Sequence, residues 1–278
     1  MKRFILAALL TAMLLTSCGS DINSEEASPL SVVPDRAIVS IVVSDPAGMV
    51  KNIDGYIQSG APALGENVLE NLICEQLDVS CLDSMTARYG FDPSGDVAFW
   101  MESAMPGSMG MAVSAPDFPL FLSLMEEMGM EIVVEEQLGG VAVYSMDSEK
   151  GTIFFAGVQG VALMAMSTAK LQTLINGLSS ETRYQAAPAS LTMKFNFSMI
   201  GPMAAAQMPM ARMMVAQGMA ADTTMPAYLP GIMDVYLDGI ESFLSQADMM
   251  EFTLITGPED FVVKKNVSFV SGSAFGEM

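Results

Sequence analysis

The chain has 278 residues, of which 32 are acidic, 12 are basic and none is histidine, and 51 % of the sequence is hydrophobic. A formal charge of −20 excludes nucleic acid as a partner, because phosphate binding needs clustered Lys and Arg; the charge serves solubility. Without histidine there is no Ser-His-Asp or Cys-His nucleophile system, and the commonest metal ligand is missing.

The chain begins with a charged head, Lys2 and Arg3, followed by an almost wholly apolar run from Phe4 to Leu15 and the small residues Thr16 and Ser17. This is the n-region, h-region and cleavage pattern of an export signal. The run is too short to span a bilayer, which takes roughly 20 residues. Leu15-Thr16-Ser17-Cys18 resembles the lipobox of bacterial lipoproteins. The resemblance implies a signal peptide over residues 1–17, lipidation (palmitate among the acyl groups) of Cys18 and residence in the cell envelope. Gly19 in place of Asp after the cysteine implies the outer membrane, facing the periplasm. Cleavage there removes Lys2 and Arg3 and takes the formal charge two units further, to −22. Residues 18–31 are polar, acidic and aperiodic, which predicts a flexible tether.

The residues from 32 to 187 predict one α+β domain. Ala37 to Ser44 is a β-branched strand. Asp45-Pro46 starts a helix with Met49, Val50, Ile53 and Ile57 on one face. A second helix over Glu66–Leu77 carries the stripe Val68, Leu69, Leu72, Ile73 and Leu77, and a short third runs from Leu82 to Tyr89. With Cys18 lipidated, Cys74 and Cys81 remain as an even pair in an oxidising compartment. On one unbroken helix they would lie ~10 Å apart, too far for a bridge. A break at Asp78–Ser80 brings them together, so a disulfide is predicted.

Strands at Asp96–Glu102, with the sole tryptophan Trp100, and at Met109–Ser114 precede a helix that Asp117 caps and Gly129 ends. Four strands follow at Glu131–Gln137, Val141–Asp147, Thr152–Val158 and Val161–Ser167. Connections as short as Gly139-Gly140 and Gln159-Gly160 force an antiparallel meander, and a helix runs from Thr168 to Leu178. Residues 188–278 form a second α+β half. It holds a strand over Ser190–Met199, a methionine-rich helix over Pro202–Gln217, a helix over Leu229–Ala247 and a hairpin of Met249–Thr256 with Phe261–Val270. Strand-then-helix at its start repeats the order at Ala37 to Asp45-Pro46. The fold class predicted is antiparallel sheet with helices packed on one face.

Pro34-Asp35-Arg36-Ala37 entering the first strand, and Gly160–Ser167 running into a helix at Ala169, are similar to exported lipoproteins of strand–helix units around a meander. That group has no established activity. The same broad shape is similar to periplasmic lipid and lipoprotein carriers, an analogy of fold alone.

Two motifs touch on chemistry. Ser167-Thr168-Ala169-Lys170 fits the Ser-x-x-Lys of penicillin-recognising enzymes, but the Lys-Thr-Gly strand and Ser-x-Asn loop of that family do not occur, so Ser167 reads as a helix cap with Lys170 in solvent. Glu126, Glu127, Glu131, Glu135 and Glu136 lack the spacing of a divalent-cation loop and read as a solvated face. The sequence predicts no enzyme, cofactor or metal site.

Methionine is the compositional oddity, with 27 in all and seven between Met199 and Met219. Met210, Met213 and Met214 share a helix face and are chemically suited to Cu(I). Methionines also recur through the whole body, and no Cys or His strengthens the cluster, so no copper binding is expected. Met203, Met210, Met213 and Met214 are instead the candidate apolar surface, covering a groove or docking a partner. The function predicted is a non-enzymatic, lipid-anchored interaction or structural module. Its membrane link is the lipid and its partner another envelope protein; carriage of an apolar ligand such as a lipid, or Cu(I) handling, are the alternatives.

Overall fold

The computed structural model describes residues 27–103, 105–127, 129–135, 137–148, 151–179, 181, 184, 186–221, 226 and 228–274. Ten strands among them are ordered β10-β9-β8-β1-β2-β3-β7-β6-β5-β4. They are β1 (Val39–Ser44), β2 (Val97–Met101), β3 (Met109–Ser114), β4 (Ile132–Val134), β5 (Tyr144–Ser148), β6 (Gly151–Val158), β7 (Val161–Ala165), β8 (Ser190–Asn196), β9 (Ala247–Thr256) and β10 (Phe261–Phe269). The helices are α1 (Pro46–Gly60), α2 (Val68–Leu77), α3 (Met85–Tyr89), α4 (Phe118–Glu127), α5 (Thr168–Gly177), α6 (Phe197–Ala221) and α7 (Leu229–Gln246). The α+β class expected from the sequence is the class observed.

The chain divides into two compact units, and the division differs from the expected one before Pro188. The first unit runs to Met193 and takes in Thr253–Lys264; the second holds Lys194–Phe252 and Lys265–Met278. The second half is therefore not a continuous domain, because its C-terminal hairpin contributes residues to both units. Strand pairing joins residues far apart in sequence, which no local signal announces.

In the first unit, the meander β7-β6-β5-β4 is antiparallel as expected. Gln159 and Gly160 take left-handed backbone between Val158 and Val161, the conformation a two-residue hairpin needs. Side chains alternate across the sheet and fill two cores. Val43, Val97, Val113, Ala162 and Phe155 point to one face, where Met49, Val50, Phe121 and Met125 of α1 and α4 meet them. Val42, Ala98, Trp100, Ala112, Leu163 and Ala165 point to the other, against Leu171 and Leu174 of α5. Helical cover is thus present on both faces.

Residues 18–26 of the expected tether lie outside the described residues, and its last five, 27–31, are folded onto the first unit. Ala27, Leu30 and Val32 are buried in the second core, and Pro29–Val32 forms a 3-10 turn capped by Ser28. The Ala27 and Ser28 N–H groups donate to Gln159 and Ser179 carbonyls. Three apolar side chains in a polar stretch are too few to form a periodic pattern, but enough to anchor it.

Caps appear where the sequence places them. Asp45 accepts from the Gly48 N–H at 2.9 Å, Asp117 from Leu120 N–H at 3.2 Å, and Gly129 ends α4 with left-handed backbone. The α2 stripe is only partly buried. Leu69, Ile73 and Leu77 lie against the first core, while Leu72 is exposed and the one buried residue is Cys74. What holds the start of α2 is the buried Asp54 of α1. Its carboxylate accepts from the Leu69 and Glu70 N–H groups at 2.7 and 2.9 Å, occupying two donors that a helix N-terminus leaves unpaired.

In the second unit, α6 and α7 pack on each other. Phe243 lies edge-on between Phe197 and Phe269 at 5.6 and 6.0 Å. Gly201 lets the helices close in: a Cβ there would sit 2.3 Å from the Leu244 carbonyl oxygen. Arg212 of α6 donates to Asp238 at 2.6 Å and Glu241 at 2.8 Å on α7.

Candidate functional site

Ser167 and Lys170 do not make a nucleophile. Ser167 is the N-cap of α5, its Oγ accepting from the Lys170 N–H at 3.2 Å. The Lys170 ammonium is ion-paired with Glu102 and largely buried, a correction to the expectation of solvent. Lys170 and Glu102 line a cleft of about 770 Å³ in the first unit, with Ser31, Asp35, Arg36 and Glu181. Its basic and acidic groups are mixed, and the one lysine is spent on an adjacent carboxylate. The acidic run is dispersed too: Ser145 Oγ donates to Glu135 at 2.6 Å, Glu126 and Glu127 are exposed, and Glu136 lies outside the described residues. Among the described residues no cluster of three Cys, Asp or Glu side chains is set to hold a metal ion.

The candidate surface is on the second unit. Met210, Met213 and Met214 are 60, 59 and 67 % exposed and Met203 is also exposed, while Met208 is turned inward and buried. The four therefore present a surface outward. The only charge between Pro202 and Gln217 is Arg212, and it is committed to α7, which leaves the outer face of α6 uncharged. Sequence reading missed the matching feature on α7. Tyr228, Ile232, Val235 and Tyr236 are all exposed, at the spacing of one helical stripe. A shallow apolar groove of about 460 Å³ continues it through Gly239, Ile240, Phe243 and Leu244. The spacing was legible, but an apolar stripe reads as core unless the tertiary structure leaves it uncovered.

Each helix thus leaves large apolar side chains exposed, and exposed apolar patches mark interaction sites. Interlocked by Arg212 yet uncovered outside, the helix pair can adapt to an apolar partner through its flexible thioethers. No helix among the described residues is long and apolar enough to cross a membrane.

Cys18 lies outside the described residues. Cys74 and Cys81 are present as free thiols, Cys74 buried and Cys81 half-buried. Burial, reinforced by the negative charge of Glu70, Cys81 and Asp83, pushes the Cys74 thiol up to about 11.

No protein-family model matches the sequence, and no curated protein does. The chain is similar to a solved structure titled "Structure of crystal form IV of TP0453", at a TM-score of 0.42 and 11 % identity over 87 % of this chain and 81 % of that one. A likeness of that depth says nothing of function.

Proposed function

We propose that this chain is an exported, non-enzymatic envelope protein, held to a membrane by lipid on Cys18, that docks an envelope protein through the outer faces of α6 and α7. The observation carrying the reading is the exposed apolar stripe on each of those helices, uncharged on α6, in a chain with a formal charge of −20. Between Cys18 and the buried Ala27 the chain reaches at most about 30 Å, so the anchored body stays close to its membrane. Docking is favoured over carriage of a lipid because a carrier encloses most of its ligand, whereas the groove on α7 is shallow.

The test is crosslinking in intact cells from a photoreactive side chain at position 213 or 235, with position 259 as control. A protein crosslink from 213 and 235, absent at 259 and lost in a Met210→Asp/Met214→Asp variant, is the expected result. Crosslinks to phospholipid alone would shift the reading to an apolar-ligand carrier, and no crosslink at either position would overturn it. Mass spectrometry of the mature N-terminus tests the anchor, which fails if Cys18 is unmodified.

A further inference from the structure

We propose that Cys74 and Cys81 close into an intramolecular disulfide, with Cys81 entering the exchange and Cys74 resolving it. The backbone brings the pair together. After Leu77 the helix α2 stops, and Asp78 turns left-handed (φ 54°). The Val79 N–H then donates back to the Cys74 carbonyl at 3.0 Å, so the chain reverses directly above Cys74. Three residues on, the Leu82 N–H donates to Glu70 Oε1 at 3.3 Å, which fixes the neighbour of Cys81 beside the turn of α2 preceding Cys74. Tyr89 closes the same loop by donating to the Leu77 carbonyl at 2.5 Å. Leu82 and Met85 sit in one apolar cluster with Cys74, and Cys74 feels the charge of the Cys81 sulfur.

The two thiols differ in the way an ordered exchange requires. Cys81 is half-exposed, so an oxidant can reach its sulfur, which accepts a hydrogen bond from the Ser80 hydroxyl at 3.9 Å. Cys74 is buried and holds its proton tightly, so it is a poor first nucleophile. The Cys81 thiolate attacks one sulfur of an oxidant disulfide, forming a mixed disulfide and releasing one oxidant thiolate. Cys74 then gives its proton to solvent, attacks the Cys81 sulfur and releases the second oxidant thiolate. Two protein thiols are oxidised and one oxidant disulfide becomes two thiols. In the envelope the oxidant is an exported dithiol–disulfide protein, and only that detail rests on the location proposed above.

The experiment uses the reduced full-length protein in a glutathione buffer weighted to the disulfide, quenched with acid, alkylated and mapped without reduction. The expected product is one peptide species joining Cys74 to Cys81. Alkylation of the reduced protein reads the order directly, with Cys81 modified at least roughly tenfold faster than Cys74. Cys74→Ala accumulates the glutathione adduct on Cys81, and Cys81→Ala forms one on Cys74 that much more slowly. Two free thiols at equilibrium, or faster labelling of Cys74, would overturn the proposal. A disulfide formed in the tube but absent from protein recovered from cells supports the pair and counts against export. The alkylation order on the unsubstituted chain stands even where an alanine variant fails to fold.

Discussion

Asp54→Ala isolates the device that seats α2. Asp54 is 4 % exposed, and its carboxylate accepts two backbone N–H groups at 2.7 and 2.9 Å. The helix has no cap of its own, since Asn67 at its N-cap makes no side-chain hydrogen bond. A hydrogen bond to a charged group contributes about 1.5–3 kcal/mol net and loss of a helix cap typically about 1 kcal/mol. The helix start is half-exposed, so water can reach the orphaned N–H groups and relieve part of the loss. The expected cost of Asp54→Ala is therefore about 2–4 kcal/mol, and Asp54→Asn, keeping one acceptor, should cost about half as much. Trp100 is the only tryptophan and is fully buried in the first unit, so urea unfolding followed by its fluorescence measures the stability of that unit. Amide exchange at Leu69 and Glu70 should quicken in the variant. A cost within about 0.5 kcal/mol, the range of ordinary surface substitutions, with exchange at those amides unchanged, would show that α2 is held by its apolar contacts and not by Asp54.

Gly110→Ala places a methyl group 2.5 Å from the Trp100 ring; overpacking of this kind costs about 1–3 kcal/mol, and a lower urea midpoint with shifted Trp100 emission checks it. Burial, opposed by hydrogen bonds from Ser44 and Ser28 and reinforced by Asp92 and Asp45, raises the Asp96 carboxyl above its ordinary 3.8. The folded state then holds that proton more tightly than the unfolded one, so this residue's contribution makes stability fall as pH rises from 3.8 through the raised value; melting temperatures from pH 4 to 7 should show that part of the decline absent in Asp96→Asn. Replacing Met210, Met213 and Met214 by Leu should leave stability within about 0.5 kcal/mol, as at other exposed positions, and leave weak Cu(I) binding unchanged in a chelator competition; tight retention lost in that variant would instead make the cluster a copper site.

Local chemistry determined much of this protein from sequence alone. Asp45-Pro46, Asp117 and Ser167 start helices because their side chains reach the N–H groups three residues on. Gly129 and the Gln159-Gly160 pair end or turn elements because they accept left-handed backbone, and short connections leave the meander no arrangement but antiparallel. Each of these acts within a few residues, where sequence and geometry correspond. Tertiary structure decided whatever depends on distant partners. It buried Ala27 and Leu30 in a stretch that reads as tether, and tied Lys170 to Glu102 across 68 positions. It also placed Asp54 over the start of α2 and drew Thr253–Lys264 into the first unit. The candidate surface shows the same division. Periodicity marks the apolar faces of α6 and α7, but whether such a face is core or surface depends on what the rest of the chain lays against it. Met208 is covered; Met210, Met213, Met214 and Val235 are not.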